Sequence, residues 1–393
     1  MPIDSIHSKA VSTMPNVIDL FSGAGGLSLG ASRAGFTVIS AVELDPHAIA
    51  THRTNFPNSQ HIQRDIMELT GETLLALSGI SAEHLDGIIG GPPCQGFSNI
   101  GHRNVNDIRN TLFIKYFELV KEVRPPFFVA ENVPGIMNPK YNQIRKAAFD
   151  HVYDYHLLPP IKIDASEYGA PTKRTRMFFI GFRRSTRIEP FTKADIEQMK
   201  VSPNQRTTVR KALEGLPSNI RYRLNDTGVR KIANEYYNRN SMHIQSTFFY
   251  ERVVEMRPMN LGNADYIQNY EQHHEVNGFF PTKHTQIVKQ RYARLKYGQQ
   301  DRISKATRLN PDGFCPTLRA GTGPEKGSYQ AVRPIHYAYA RVITPREAAR
   351  LQGFPDWFKL PETIWHSFRQ IGNSVSPIVS ERVLQAIFQK LTL

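Results

Sequence analysis

The chain has 393 residues, of which 40% are hydrophobic and 21% charged, values typical of a soluble globular protein. No apolar run is long enough to cross a membrane, and the N-terminal residues lack the apolar core of a signal peptide, so we expect a cytoplasmic protein with no membrane partner. The only cysteines, Cys94 and Cys315, are too few for a disulfide framework or a zinc site, and we expect no metal.

Four short apolar segments predict the strands of an α/β domain. They lie at 16–24, 36–45, 85–93 and 124–133. Helical patterns follow the first and precede the fourth of these segments. Because strands that alternate with helices form a mostly parallel sheet covered on both faces, we expect ligands to bind at the carboxyl ends of the strands.

The pattern changes after about residue 184, where the alternation of strands and helices ends and Asn, Gln, Tyr and Arg accumulate. Residues 186–345 contain 25 Lys and Arg but 14 Asp and Glu, a net charge of +11 within a chain whose total is +14. A basic excess confined to one segment predicts a polyanionic partner, usually nucleic acid. A merely solubilising surface would not need to be so local.

Residues 285–298 predict an amphipathic helix within this basic region. Val288, Tyr292 and Leu295 share one face of that helix, and basic side chains occupy much of the remainder. These basic residues are Lys289, Arg291, Arg294 and Lys296. A solvated helix face has the same pattern, but the surrounding charge favours contact with nucleic acid. Regular structure returns near residue 342, and a last helix is predicted over 376–391.

A glycine turn, Gly23-Ala24-Gly25-Gly26, follows the first strand. Its backbone amides and the helix behind it favour a carboxylate or a phosphate. The fingerprint of dinucleotide-binding proteins needs a third glycine where this chain has Ser28, so the turn fits a nucleoside cofactor but argues against NAD or FAD. Glu43 ends the second strand, where a carboxylate can accept both ribose hydroxyls. An ordinary exposed glutamate is the alternative interpretation.

The segment 90–98, Gly-Gly-Pro-Pro-Cys-Gln-Gly-Phe-Ser, presents Cys94 in a rigid loop at a strand end. A structural cysteine normally lies inside a strand or helix, as we expect for Cys315, so Cys94 is predicted to be reactive. Later strand ends and an extended segment add an acid, an amide and two guanidinium groups: Glu131, Asn132, Arg174 and Arg176.

Together these motifs resemble the DNA (cytosine-5) methyltransferase family, and they occur in the order typical of that family. The resemblance covers residues 17–181 and 342–379, a little over half of the chain. One position departs from the family. Thr172 lies two residues before Arg174, where the family usually has a glutamine. The matching motifs are 19–26, Glu43, Asp65-Ile66, 90–98, 107–112, 131–133, 174–176, 350–355 and 370–375.

The resemblance implies an α/β fold, the Rossmann-like, mostly parallel sheet of S-adenosylmethionine-dependent methyltransferases, with a second, smaller target-recognition domain. We expect a catalytic and cofactor-binding domain at 1–185 and a DNA-binding, target-recognition domain at 186–345. Residues 346–393 are expected to form a hinge and to return to the catalytic domain.

The family's reaction moves a methyl group from S-adenosylmethionine to cytosine C5. Because C5 is a poor nucleophile, a thiolate, here Cys94, first adds to C6 and converts the ring to an enamine. The resemblance implies that Glu131 stabilises this adduct at N3 and that Asn132 holds the loop or the base edge. Arg176 is expected to hold the cytosine O2 and Arg174 to brace the site or a phosphate. The base must be flipped out of the duplex to be reached.

Two groups of binding residues follow from the resemblance and from the charge pattern. The residues expected to line the S-adenosylmethionine pocket are Phe21, Gly23, Gly25, Leu27, Glu43, Leu44, Asp65, Ile66, Pro92, Leu112, Asn373 and Ser374. The residues expected to contact double-stranded DNA are Gln95, Ser98, Arg109, Lys289, Arg291, Arg294, Lys296, Thr317 and Leu318.

Three other classes of protein are weighed against this prediction. A cytosine-5 methyltransferase acting on transfer RNA shares most of these motifs, but its middle region is typically short. A nucleotide-dependent oxidoreductase conflicts with Ser28 and leaves Cys94 without a use. A non-catalytic DNA-binding protein is least favoured, because the reactive groups are all present. The motif set without an added regulatory domain resembles bacterial restriction-modification methylases, and we expect a monomer with no obligatory protein partner.

Overall fold

The computed structural model describes residues 14–93, 110–186, 191–217, 220, 226–232, 247–321 and 332–391. Four predicted site residues, Cys94, Gln95, Ser98 and Arg109, lie outside the described residues. The strands are β1 Asn16–Leu20, β2 Thr37–Val42, β3 Gln60–Ile62, β4 Gly87–Gly90, β5 Phe127–Asn132, β6 Tyr155–Leu157, β7 Ile161–Asp164, β8 Thr172–Lys173, β9 Thr175–Arg183, β10 Arg230–Lys231, β11 Glu275–Val276 and β12 Cys315–Pro316.

The helices of the described residues alternate with the strands in the first half of the chain and predominate in the second. They are α1 Gly26–Arg33, α2 Pro46–Asn55, α3 Gly71–Ser78, α4 Asn110–Val123, α5 Asn142–Asp150, α6 Lys193–Glu197, α7 Val209–Leu213, α8 Phe248–Tyr250, α9 Ala264–His273, α10 Gln286–Ala293, α11 Pro345–Gln352, α12 Ile364–Asn373 and α13 Pro377–Leu391. In the part of the chain that is described, no helix has the length and apolarity needed to cross a membrane.

An eight-stranded mixed sheet organises residues 16–183, with the strand order β3-β2-β1-β4-β5-β9-β6 and with β7 also paired to β9. The first five strands of this order pair in parallel, and β9 pairs antiparallel to β5. The predicted strands β1, β2, β4 and β5 are confirmed. The sequence prediction missed β3, which is three residues long and has one buried side chain, Ile62, so its pattern is too short to recognise.

Both faces of this sheet are covered, as expected for parallel strands. Neighbouring residues of one strand belong to different hydrophobic clusters, since Val17 packs in one and Ile18 in the other. The cluster that contains Val17 continues into the middle region, where it includes Phe249 and Val276. The middle region therefore shares a continuous hydrophobic core with the sheet that carries the motifs.

The last helix, α13, packs against α1, the helix that follows the glycine turn. A side-chain carbon at Gly30 would lie 2.0 Å from Ser380 Oγ, so this close approach requires glycine. Ser380 Oγ also donates a hydrogen bond to the Gly26 carbonyl at 2.8 Å. This contact brings the segment between α12 and α13 to the carboxyl ends of the strands.

Helix α11 connects the middle region to this C-terminal part and is buried along its whole length. Its N-terminus has a capping box in which Thr344 and Glu347 satisfy one another's backbone amides. Arg346 and Arg350 are fully buried in α11. Arg350 Nε donates to Asp356 Oδ1 at 2.8 Å, so its charge is compensated inside the protein. The two boundaries between the three predicted segments remain predictions.

Candidate active site

The glycine turn at the end of β1 bends the backbone toward a carboxylate at the end of β2. Gly23 has φ 56° and Gly25 has φ 98°, conformations that favour glycine. A side-chain carbon at Gly25 would lie 2.4 Å from the ring of Phe56. Glu43 accepts hydrogen bonds from the backbone amides of Gly23 at 2.9 Å and Asp45 at 2.8 Å. Burial raises the pKa of Glu43, although both hydrogen bonds oppose that shift.

Two adjoining cavities open at this edge of the sheet. One, of about 280 Å³, lies between the glycine turn, the ends of β4 and β5, and residues 369–375. The other, of about 430 Å³, lies beside residues 42–46, 64–66 and Leu112. The residues that line both are Phe21, Glu43, Asp45, Pro93 and Arg369.

Eleven of the twelve residues predicted for the cofactor pocket line one or both of these cavities. Phe21, Gly23, Leu27, Glu43, Pro92, Asn373 and Ser374 line the first. Phe21, Glu43, Leu44, Asp65, Ile66 and Leu112 line the second. Gly25 lines neither, and instead shapes the turn. The lining combines the glycine turn, the partly buried carboxylate of Glu43 and apolar side chains. This combination fits an elongated ligand with a polar sugar between two end groups.

Glu131 and Arg176 form an ion pair in the wall of the first cavity, with Arg176 Nε 2.7 Å from Glu131 Oε1. The register of β5 and β9 explains the pair. Glu131 lies opposite Phe178, so Arg176, two residues away on β9, is its diagonal neighbour on the same face. Burial raises the pKa of Glu131, while Arg176 and Arg174 act to lower it. A carboxyl whose pKa is raised holds a proton more readily than an ordinary glutamate, which suits a general acid.

Asn132, the next residue of β5, holds the start of the proline loop. Its Nδ2 donates to the Pro92 carbonyl at 3.2 Å, and its Oδ1 accepts from the Val133 amide at 2.8 Å. Asn132 is 1% exposed. The amide therefore positions the loop segment that immediately precedes Cys94.

Arg174 joins three segments that are distant in sequence. It is 2% exposed, and it donates to the carbonyls of Leu318 at 3.0 Å and Gly372 at 2.7 Å. Nearby, Thr172 Oγ1 donates to the Cys315 carbonyl at 3.1 Å, at the position where the family usually has glutamine. The threonine thus ties β8 to its partner strand β12, beside the Arg174 contacts.

Cys315 is a buried free thiol, as predicted for a structural residue. It is 0% exposed and lies in β12 within the larger hydrophobic cluster. Burial holds the pKa of its thiol far above the usual range, so it stays protonated and unreactive.

The residues predicted to contact DNA differ in their exposure. Lys289, Arg294 and Lys296 are exposed on and just after α10, whose apolar face packs through Tyr292 as predicted. Arg291 Nε instead donates to the buried Asp301 at 2.7 Å. Thr317 and Leu318 also differ in exposure. The former is exposed, whereas Leu318 is 4% exposed and belongs to the core.

Two residues that line both cavities were missed by the sequence analysis. Asp45 caps the N-terminus of α2 and forms an ion pair with Arg369 at 2.9 Å. Arg369 lies in α12 with its guanidinium 5.1 Å from the Trp365 ring centre. Their positions in the sequence could have identified them, because Asp45 lies two residues after Glu43 and Arg369 immediately precedes the motif that begins at Gln370.

Solved methyltransferase structures share this architecture. One, described as a DNA modification methyltransferase encoded within a prophage of E. coli, is 47% identical with a TM-score of 0.83, over 96% of this chain and all of that one. The Dnmt2 methyltransferase of S. pombe is 17% identical with a TM-score of 0.62, over 96% and 100% of the two chains, and shows the fold alone. The fold and site define a Rossmann-like methyltransferase.

The family model for C-5 cytosine-specific DNA methylases matches residues 15–389. The chain belongs to this family and is a DNA (cytosine-5) methyltransferase, which confirms the predicted family, fold class and activity. The Type II methyltransferase M.XorII of Xanthomonas oryzae pv. oryzae is 36% identical, over 96% of this chain and 86% of the relative. M.DdeI of Desulfomicrobium norvegicum is 32% identical, over 95% and 88%.

Proposed function

We propose that the chain transfers the methyl group of S-adenosylmethionine to C5 of a flipped-out cytosine in a specific double-stranded DNA sequence. Cys94 is the nucleophile in this proposal, and Glu131 is the acid at N3. The observation that carries it is the buried Glu131–Arg176 pair, which lies in the wall of a cavity that also reaches the glycine turn and Glu43.

The two adjoining cavities would hold the cofactor. Glu43, whose carboxylate accepts two backbone amides, would accept the ribose hydroxyls, and Leu44, Ile66 and Leu112 would lie on the side away from the turn. When bound, S-adenosylmethionine supplies an electrophilic methyl group. The protein's own groups then need to orient the two reactants and exclude water between them.

Four side chains of the described site have different roles in the proposed base pocket. Glu131 shares its proton with N3 as the thiolate adds to C6, and Arg176 holds that carboxyl and offers its remaining N–H groups to the cytosine O2. Asn132 fixes Pro92, two residues before Cys94. Arg174 braces the pocket through Leu318 and Gly372 rather than meeting a phosphate.

The DNA-contacting surface is proposed to include the exposed basic residues of α10 and its C-terminal turn. Lys289, Arg294 and Lys296 would contact phosphates, and exposed Thr317 would contact DNA beside the base pocket. The side chains of Arg291 and Leu318 are committed to contacts inside the protein and are withdrawn from that surface. Gln95, Ser98 and Arg109 stay in the proposal on the sequence motif alone.

The biological setting proposed is the modification half of a bacterial Type II restriction-modification system, with a monomeric enzyme acting on cytoplasmic DNA. It is supported by relatives that bear the name Type II methyltransferase and align with 95% or more of this chain. Methylation of genomic DNA in vitro, followed by bisulfite sequencing, would identify the recognised sequence. A single short motif is expected, and scattered methylation would contradict the assignment.

DNA containing 5-fluorocytosine at the target tests the covalent step. Fluorine cannot leave C5 as a cation, so the methylated adduct should keep the protein bound through denaturing electrophoresis. Adduct formation should require S-adenosylmethionine and map to the peptide that contains Cys94. Cys94→Ala should form no adduct, and Cys315→Ala, which changes the buried thiol, should still form one. Absence of an adduct, under conditions where ordinary DNA is methylated, would exclude this nucleophile.

A further inference from the structure

A continuous line of hydrogen-bonded side chains runs beneath the glycine turn, from the interior to the surface. Ser28 Oγ lies 2.5 Å from Asp19 Oδ2 and 2.9 Å from His52 Nε2. His52 Nδ1 lies 3.0 Å from His61 Nε2. Asp19, Ser28 and His52 are 0% exposed, whereas His61 is partly exposed. The line therefore connects a fully buried carboxyl to solvent.

This line is built into the elements that form the cofactor turn. Asp19 is in β1, two residues before Phe21, and Ser28 is in the first turn of α1. His52 packs directly under the turn, since a side-chain carbon at Gly25 would lie 3.1 Å from His52 Cδ2. Glu43, which lines the cavity, acts electrostatically on Asp19, so a charge placed in that cavity also acts on the buried end of the line.

The buried end holds a carboxyl with little compensation for a negative charge. Ser28 donates to Asp19 Oδ2, and no donor reaches Oδ1 in the described part of the chain. Burial raises the pKa of Asp19 to about 7, with Glu43 adding to the rise and Ser28 opposing it. Tyr116 is the other titratable group facing Asp19. At neutral pH this carboxyl therefore holds a proton far more readily than an ordinary aspartate does.

The two histidines are neutral and so can pass a proton without holding it. Burial lowers the pKa of His52 well below its usual value, with His61 contributing. Burial and the facing Arg53 lower the pKa of His61 to about 4. Each neutral imidazole accepts at one nitrogen and donates at the other. When Asp19 is protonated, it donates to Ser28 Oγ and Ser28 donates to His52 Nε2; proton transfer along the line leaves Ser28 donating to ionised Asp19, the direction described above. His52 Nδ1 then protonates His61 Nε2, and the partly exposed His61 loses the proton on its other ring nitrogen.

We propose that Asp19, Ser28, His52 and His61 form a proton relay that matches the charge of Asp19 to the charge of the bound cofactor. The inference rests on S-adenosylmethionine being the cofactor, as proposed above. The sulfonium form carries one positive charge more than the thioether product. Its binding favours ionised Asp19, and the proton leaves through His61. The thioether product lacks this charge and leaves the protonation of Asp19 as it is in the empty site, so ionised Asp19 strengthens the binding of the sulfonium form over that of the product.

Calorimetry in buffers that differ in ionisation enthalpy measures the proton count directly. At pH 7 the binding of S-adenosylmethionine should release a fraction of one proton per site, because burial raises the pKa of Asp19 to about 7, and S-adenosylhomocysteine should release almost none. Asp19→Asn should abolish the release. It should also weaken the preference for the sulfonium form by about tenfold, equivalent to one pKa unit of coupling.

Asp86→Asn is the matched control. Asp86 is also a partly buried carboxyl with a raised pKa, but it lies at the opposite end of the sheet, bonded to the Asn16 amide at 2.7 Å. Its substitution should leave the proton release unchanged. If Asp19→Asn does not fold, infrared difference spectra of the wild type should show a protonated carboxyl band that disappears with the sulfonium form alone.

His52→Phe tests the path rather than the end point. Asp19 remains in this variant, so the released amount should persist, but stopped-flow measurements with a pH indicator should show release lagging behind binding. Release as fast as in the wild type would exclude the histidines from the path. Equal proton release with both ligands, or release that survives in Asp19→Asn, would overturn the relay. A failure of S-adenosylmethionine to bind at all would instead contradict the proposed cofactor.

Discussion

Glu131 shows how neighbouring groups set the chemistry of a single carboxyl. Its burial favours the protonated form, and Arg176 at 2.7 Å favours the ionised form. The balance leaves its pKa above the ordinary value. A group balanced in this way can transfer a proton to N3 and then recover it, which neither a solvated glutamate nor a fully compensated ion pair would do as readily.

Glu131→Gln should retain the shape of the pocket but lose the proton. We expect the rate of methyl transfer to fall by about 10²–10⁴, the usual contribution of a general acid. DNA affinity, which depends mainly on phosphate contacts, should stay unchanged. Transfer of tritiated methyl groups at saturating substrates measures the rate, and fluorescence anisotropy measures the DNA affinity. A variant with near wild-type turnover would remove Glu131 from the mechanism.

Arg174 is predicted to matter for stability as well as for activity. Arg174→Ala would leave the buried carbonyls of Leu318 and Gly372 without this donor, at a cost of about 1–3 kcal/mol for each unsatisfied group. The melting temperature should fall by several degrees, as measured by calorimetry. The exposed Arg184→Ala is the control and should change nothing. An unchanged melting temperature together with abolished methylation would indicate a direct role in substrate binding instead.

At the scale of elements, the antiparallel strand β9 completes the site that the parallel strands begin. The first five strands of the sheet end at one edge, where they place the glycine turn, Glu43 and Glu131. Strand β9 enters from that edge in the opposite direction, so its first residues, including Arg176, meet the last residues of β5. One reversed strand therefore brings a cation to a carboxylate from a distant part of the chain.

Helix α10 is predicted to separate binding residues from a structural one. Alanine at Lys289, Arg294 or Lys296 should weaken DNA binding and lower the salt slope by about one unit for each phosphate that the variant no longer neutralises. Arg291→Ala should mainly destabilise the fold, because buried Asp301 would lose its ion pair and keep only the hydrogen bonds from Ser304. Anisotropy at several salt concentrations and thermal melting distinguish the two effects. Unchanged slopes in all three exposed variants would show that this helix faces solvent.

At the scale of the whole molecule, two segments that are distant in sequence build the first cavity. Residues from the glycine turn form one wall and residues from 369–375 form another, and α13 holds the two together through its packing on α1. A ligand bound between these walls stabilises the native state of the entire chain by mass action.

S-adenosylmethionine should therefore raise the melting temperature, whereas NAD should not. At one hundred times its dissociation constant, the ligand adds about 2.7 kcal/mol to the free energy of unfolding. Glu43→Ala should reduce this shift strongly, since it removes the acceptor held at the turn. Exposed Glu72→Ala serves as the control and should keep the full shift. A shift unaffected in Glu43→Ala would place the ribose elsewhere.

The sequence alone was sufficient for the alternation of strands and helices, the helix before the fourth predicted strand and the two-sided sheet, because these depend on local periodicity of apolar residues. It was also sufficient for the positions of the turn, Glu43 and Glu131, since polar residues at strand ends stand out from the buried segments before them. The motif order then identified the family.

Only the tertiary structure decided which partner each polar side chain has. Arg291 and Lys289 look alike in the sequence, but Arg291 bonds Asp301 and Lys289 faces solvent. Asp45 and Arg369 are far apart along the chain yet form one ion pair, and His52 joins Asp19 through Ser28. Periodicity reports whether a residue faces the core or solvent, whereas a hydrogen bond or ion pair requires two atoms to meet, which the packing of distant elements determines.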